Sequence, residues 1–552
     1  MKKHNISITT IAASVFIALS GVPSGALAQA HARAASTPPS GTIVLTPGPN
    51  GDWQDNFNPF SANANYGTLG LVYEPLFYFD SLSGHTFPLL GKSYTWSNGN
   101  KTLTVNLQNK AAWSDGTPFT SADVVFTFDL LKRYPAIDTN AVWTKLSSVK
   151  ADGASKVVFQ FQQADVPFAM YVLNDPIVPK HIWSKLGDPT KANITKPVGT
   201  GPYVLANFTA QDYRFNANMH YYGGIPPVKT VDYPAYAGND SVNMALAMGK
   251  IDWAGNFIPN IQKIYVNRDS VHNHYWFAHG SVIMLYTNLK DPLLSQLPVR
   301  QAISLAINRN KIANEAEYGY TVPANPLGLV LPNNQAWIDP KLKSQLNFGY
   351  DPAKAIQILE RAGFKKNSKG IFEKNGKPLS FTLQVVAGWT DWDTSCALIE
   401  SDLKKIGIQV SVIQEQYGAY AANLNAPIGK KPYQLAISWT NAGPTPYYLY
   451  ENMLATGGNY NVEQLNNSTV NAALLAYSRT TNLAQQKQAM YKVENYMATK
   501  LPSVPLFYGP VWDEYRTAKF TGFPTQAHPW ISGGPASNFA QAIVLMHLHP
   551  LK

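Results

Sequence analysis

The sequence predicts a mixed α/β protein of two or three domains, in which strands and helices intermingle without the strict β-α-β order of a purely parallel sheet. Three observations predict it. The chain has 552 residues, more than a single core accommodates, and 45% of them are hydrophobic. Several short runs alternate apolar and polar side chains with the two-residue period of a half-buried strand. Several longer runs carry helix start and stop signals at their ends.

Each element has its own warrant. Residues 101–108 alternate, with Leu103, Val105 and Leu107 on one face. Residues 156–161, 379–386, 408–413 and 433–439 read as further strands. Thr120 is followed by Asp123 three residues on, a capping-box arrangement that starts a helix. Asp351 and Pro352 open another, and Gly363 suits its stop. Pro298 opens a third, Gly407 ends a fourth, and residues 482–500 form a late helix closed by Pro502. No internal repeat or coiled-coil pattern is present.

The N-terminus reads as a signal peptide over residues 1–30. Lys2 and Lys3 form the positive end, residues 11–19 are apolar but too short to span a bilayer, and small-x-small sites follow at Ala26–Ala28 and Ala28–Ala30. Residues 31–41 are small, polar and Pro-rich, as in a linker. Removing the leader leaves 42 basic against 34 acidic residues, a net charge of +8. The basic residues are scattered, which argues against nucleic acid as a partner. Charged residues make up only 14%, against about a quarter in ordinary domains. That composition fits a protein that stays folded in acid, where paired carboxylates lose their role. Cys396 is the single cysteine. It excludes an internal disulfide and a Cys-based zinc site, it lies far from where a lipid-bearing Cys would stand, and its spacing to Ile399, Leu403 and Ile406 predicts a buried packing role.

Motifs for chemistry are weak. His272, His274 and His279 cluster, and alternation would put the first two on one strand face, but His alone is thin evidence for a metal. Gly91-Lys92-Ser93 mimics the end of a phosphate loop, yet Thr86 stands where its first glycine is required. There is no G-x-S-x-G elbow and no H-E-x-x-H helix. Asp513 and Glu514 are adjacent and read as solvated surface. No cofactor and no metal are expected, and the chain is not expected to be an enzyme. The alternatives are a secreted glycoside hydrolase with two carboxylates and a binder of nickel-type metal complexes.

Five segments together resemble the family 5 extracellular solute-binding proteins of ABC importers, whose members take oligopeptides, dipeptides, nickel complexes or oligosaccharides. They are Trp113-Ser114-Asp115-Gly116-Thr117-Pro118-Phe119-Thr120 with Asp123-Val124; Val198-Gly199-Thr200-Gly201-Pro202-Tyr203 with Asn218 and Tyr221-Tyr222; Gly249-Lys250-Ile251-Asp252; Val299-Arg300-Gln301-Ala302-Ile303; and Tyr350-Asp351-Pro352-Ala353-Lys354-Ala355 with Ala362-Gly363. Their order and spacing match from about residue 42 to 515. Read physically, these are scaffold marks: Asp115-Gly116 makes a tight turn, and Gly199 and Gly201 allow a close strand crossing. The resemblance implies a periplasmic-binding-protein-like, two-lobed α/β fold with mixed sheets, an extra subdomain and a hinged cleft. Lobe I would take residues 42–77, 196–286 and 506–552, an inserted subdomain 78–195, and lobe II 287–505, with hinges near 282–287 and 504–508. It also implies a monomer, periplasmic or held at the cell surface, that closes on a small-molecule ligand and presents it unaltered to a membrane ABC permease.

The ligand-facing part departs from the family's peptide-binding pattern. Peptide binders of this type carry an Asp just beyond a strand that here ends at Trp439, and Asn441 and Ala442 stand in its place. An amide cannot neutralise an ammonium group. The run Gly443-Pro444-Thr445-Pro446-Tyr447-Tyr448 resembles the oligosaccharide-binding branch, whose ligands offer C–H faces to aromatic rings. Candidate rings are Trp53, Trp253, Trp276, Trp389, Trp392, Trp439, Tyr447 and Tyr448, with Asn441, Asp391 and Asn256 as polar partners. Each ring could instead pack in a core. Peptide stays open, with Asp391 or Asp52 supplying the carboxylate, so the ligand is an oligopeptide or an oligosaccharide.

Overall fold

In the computed structural model the described residues are 41–551 apart from 348, 428, 441, 442 and 459. The expected signal peptide, and the linker up to residue 40, lie outside them. So does Asn441.

The local signals formed the elements they predicted. Thr102–Leu107 is a strand whose Leu103, Val105 and Leu107 are buried and whose other side chains are half-buried. Thr120 caps the helix Ser121–Arg133: its backbone N–H donates to Asp123 Oδ2 at 2.9 Å, and its own Oγ1 accepts from Ala122 N–H at 3.3 Å. Asp351 caps Pro352–Arg361 by accepting from Lys354 N–H at 2.8 Å. Cys396 is fully buried among Ile399, Leu403 and Ile406.

Three sheets position everything else. A mixed seven-stranded sheet runs in the order Asn273–Tyr275, Glu514–Arg516, Trp253–Ala254, Thr42–Thr46, Thr230–Pro234, Asp212–Ala217, Tyr203–Phe208. Thr42–Thr46 is parallel to both of its neighbours and the remaining pairs are antiparallel. An antiparallel four-stranded sheet, Gly91–Ser97, Thr102–Leu107, Lys156–Phe161 and Leu146–Ala151, shares one core with it. Gly199 and Gly201 bring the chain against Leu71 and Val72, where a Cβ on either would overlap a backbone carbonyl oxygen. That close crossing accounts for both glycines.

A five-stranded sheet runs Gln409–Glu415, Ser380–Val386, Leu435–Trp439, Ala278–Thr287, Val504–Val511. The parallel pair Ser380–Val386 and Gln409–Glu415 is joined by the helix Thr390–Lys405, the crossover that parallel pairing requires. From Val282 onward the strand Ala278–Thr287 is buried on both faces: Val282, Met284 and Tyr286 enter one core, and Ile283 and Leu285 enter another. Two stretches of chain join this sheet to the seven-stranded one. Asn273–Tyr275 leads through Trp276 and Phe277 into Ala278–Thr287, and Val504–Val511 leads through Trp512 and Asp513 into Glu514–Arg516. These passages lie a few residues outside the stretches expected to act as hinges. Among the described residues no helix is long and apolar enough to cross a membrane.

Candidate ligand-binding site

The two passing strands form the floor of an aromatic cavity of about 410 Å³, through Ser281, Ile283, Gly509 and Pro510. One wall comes from the five-stranded sheet. Trp439 ends the strand Leu435–Trp439, Trp389 stands immediately before the helix Thr390–Lys405, and Trp392 lies in that helix's first turn. Trp389 stacks on Trp439 at 5.7 Å and 26° between ring planes, and on Tyr417 at 5.9 Å and 26°. Trp392 meets Trp389 edge-on at 5.0 Å and leans on Trp439 at 5.6 Å. Phe257 and Trp512 line the same cavity and are in edge-to-face contact at 5.5 Å. Rings thus line it from several separate parts of the chain, as apolar ligand pockets with a few polar groups require.

Beside the neutral Asn239, Ser281 and Thr390, its ionisable groups are acidic. Asp391 and Glu317 line the cavity, and among the described lining residues there is no Lys, Arg or His. Glu317 follows the helix Arg309–Glu315 and is 1% exposed, and its Oε1 has no hydrogen-bond partner. Burial, and to a lesser degree the Asp391 carboxylate, push the Glu317 carboxyl up to about 8. Burial also raises Asp391, opposed by backbone N–H groups at the helix start and reinforced by Asp393.

A neighbouring cavity of about 880 Å³ is lined by Tyr275, Trp276, His279, Tyr320, Asn333 and Pro529, among others. Phe277 also lines it, and meets Tyr320 at 5.4 Å and Trp512, a residue of the first cavity, at 4.8 Å, both edge-to-face. His279 lies flat on Tyr508 at 4.2 Å and donates Nδ1–H to the Leu331 carbonyl at 2.6 Å. Burial lowers its pKa, opposed by the hydrogen bond to the Leu331 carbonyl. His272 pairs with Asp269 at 2.9 Å, and His274 reaches the Val271 carbonyl at 3.1 Å. Among the described residues no group of three or more His, Cys, Asp or Glu could hold a metal ion.

The structure therefore gathers Trp389, Asp391, Trp392 and Trp439 at one cavity and places Trp276 in the next. It puts the other candidates elsewhere. Trp53 is buried edge-on against Tyr66 and Tyr213, with its Nε1–H donating to the Tyr233 carbonyl at 3.0 Å. With Asp52 it borders a separate cavity of about 480 Å³. Trp253 is fully buried and donates to Asp513 Oδ1 at 2.7 Å. Tyr447 is buried and stacked on Tyr477 at 4.6 Å, and Tyr448 donates to the Pro167 carbonyl at 2.9 Å. Asn256 is buried, its Nδ2–H donates to Asn243 Oδ1 at 2.7 Å, and its backbone N–H donates to Glu514 Oε2 at 3.1 Å. The reading of Asp513 and Glu514 as solvated surface is corrected: both are 0% exposed, and burial pushes Asp513 up to about 7 and Glu514 well above its usual range.

Sequence reasoning missed Glu317, Phe257, Tyr320 and Trp512. The run Glu315-Ala316-Glu317-Tyr318-Gly319-Tyr320, acids leading into an aromatic turn, was the available signal for two of them.

The model of the bacterial extracellular solute-binding proteins, family 5, matches residues 86–461. The chain belongs to that family. The oligopeptide-binding protein AppA of Bacillus subtilis is 28% identical over 61% of this chain, and the match spans 63% of AppA, just under two thirds of its length. A Brucella ovis protein named for ABC-transporter peptide binding is 27% identical over 91% of this chain and 94% of its own. A crystal structure of a periplasmic oligopeptide-binding protein of an oligopeptide ABC transporter from Thermotoga maritima superposes with a TM-score of 0.84 at 28% identity, covering 92% of this chain and 99% of that one. The crystal structure of the same protein with mannohexaose bound gives 0.77, covering 93% and 99%. The fold is the two-lobed periplasmic-binding-protein fold, with mixed sheets as the sequence predicted.

Proposed function

We propose that the chain is the extracytoplasmic substrate-binding component of an ABC importer, which holds an oligopeptide or an oligosaccharide in the cavity walled by Trp389, Trp392 and Trp439. The observation that carries this reading is the placement of that cavity on the two strands that pass between the five- and seven-stranded sheets. A ligand there touches the five-stranded sheet through Ser281, Ile283 and Trp439 and, through Asn239, Phe257 and Trp512, chain that adjoins the strands of the seven-stranded sheet, and closure follows when contacts improve in the closed form. Because Ala278–Thr287 and Val504–Val511 belong to the five-stranded sheet, the expected lobe boundaries move by a few residues: lobe I then comprises residues 42–77, 196–275 and 514–552, lobe II 278–511, and residues 78–195 the inserted subdomain. The passages at 276–277 and 512–513 serve as hinges. The protein works as a monomer outside the cytoplasmic membrane and delivers to a membrane permease, without nucleic acid and without altering its cargo. Names of relatives support both ligand classes, peptide for AppA and mannohexaose for the Thermotoga protein.

The test is a thermal-shift panel of di- to pentapeptides against xylo-, cello- and mannooligosaccharides. A cargo at about 100 times its dissociation constant adds roughly 2.7 kcal/mol to stability. Trp439→Ala weakens whichever cargo wins; unchanged affinity would remove the indole wall from the site. Release of shortened sugars or peptides would instead favour hydrolysis by the Glu317 and Asp391 carboxyls.

A further inference from the structure

The cavity holds more acid than its surroundings answer. Two carboxyl groups face it, no basic side chain among the described residues lines it, and one oxygen of Glu317 is buried without a partner. A buried carboxylate in that setting is costly unless something charged or hydrogen-bonding meets it. The rings around it are suited to the same visitor. Trp389, Trp392 and Trp439 present electron-rich faces and edges within 6 Å of one another, and indole faces attract cations. Carboxyls with indoles and no competing cation form a receptor for positive charge. A neutral sugar would use the rings but bring no positive charge to the carboxyls.

We infer that Glu317, supported by Asp391, receives a cationic nitrogen of the cargo, such as the ammonium of a peptide end or of an amino sugar, and that this contact expels the Glu317 proton to solvent. The inference rests on the reading of this cavity as the cargo site. The exchange balances: the neutral carboxyl and the ammonium give a carboxylate–ammonium pair and one free proton. The groups bearing on Glu317 all act in one direction. Asp391 faces it from the start of the helix Thr390–Lys405, Asp393 acts on Asp391 from the same turn, and the strands of the floor contribute only Ser281, Ile283, Gly509 and Pro510. The empty site therefore holds its proton near neutrality, and the cargo's charge releases it.

Calorimetric titration separates the possibilities, using four probe sets: alanine oligomers of two to five residues, the same oligomers N-acetylated, glucosamine oligomers, and cello-oligomers. Each is titrated into the native protein in two buffers of different ionisation enthalpy. The inference predicts that the free-amine peptides or the glucosamine oligomers bind at least about tenfold more tightly than their neutral counterparts. It predicts release of about one proton per cargo, and affinity rising by up to about tenfold per pH unit between pH 5.5 and 7.0. Glu317→Gln abolishes the proton release and the preference for the charged probe; proton release retained by that variant overturns the inference. Asp391→Asn, at a less buried position, weakens both effects. Equal binding of neutral and charged probes, or binding with no proton exchange, overturns the inference and leaves the importer reading standing. Failure of every probe overturns both.

Discussion

Replacing Glu463 by Gln should change how stability depends on pH. Glu463 is 0% exposed and neither carboxyl oxygen has a hydrogen-bond partner. Burial pushes it from the ordinary 4.5 up to about 8, against weaker opposing effects of its own backbone N–H and of Lys431. The sign follows from linkage. The folded-state pKa lies above the unfolded one, so this group's contribution is complete below about pH 4.5 and is lost as pH rises toward about 8. The slope is about 1.4 kcal/mol per pH unit, which gives at most about 4 kcal/mol between pH 4.5 and 7.5. Compactness of the unfolded chain and local relaxation reduce that to about 2 to 4 kcal/mol. Gln has no proton to bind, so it removes the slope whatever its offset. Urea midpoints of the native protein and of Glu463→Gln, measured at half-unit steps of pH, should differ by a gap that shifts in favour of the variant as pH rises from about 4.5 toward neutrality. Parallel curves across the range would refute the reasoning. Glu74, Asp175, Glu494 and Asp513 are shifted in the same direction, each chiefly by burial. The native protein should therefore gain stability on acidification from pH 7.5 to 5, in keeping with a chain that carries so little surface charge.

Two further substitutions test the scaffold. Gly199→Ala forces a methyl group onto the Val72 carbonyl and should prevent a soluble, cooperatively folding product, read by expression and circular dichroism; a well-folded variant would show that the crossing has slack. Asp351→Ala removes the cap of Pro352–Arg361 and should cost about 1 kcal/mol, read as a lowered urea midpoint with ligand binding unchanged.

What the sequence made legible was local. The strand at 102–107 and the caps at Thr120 and Asp351 depend on neighbours within four residues, so period and spacing sufficed. Trp389, Asp391 and Trp439 could be chosen because an acid and indoles around a strand end and a helix start are informative chemistry even before their meeting is known. Tyr447 and Trp53 show the limit of the same signal: a ring that stacks in a core and a ring that faces a ligand are spelled alike, and only the fold divides them. Glu317, Asp513 and Glu514 were out of reach for a related reason. Their burial is imposed by strands and helices distant in the chain, and acidic residues read from sequence default to solvent.

The central claim is that one chain retains one unaltered molecule between the indole wall and the passing strands. Native mass spectrometry of the protein saturated with the best member of the thermal-shift panel tests it most directly. The account predicts a single-chain complex heavier by one intact cargo, absent in the Trp389→Ala/Trp439→Ala double variant. Fragments of the cargo, or undiminished binding by the double variant, would contradict it.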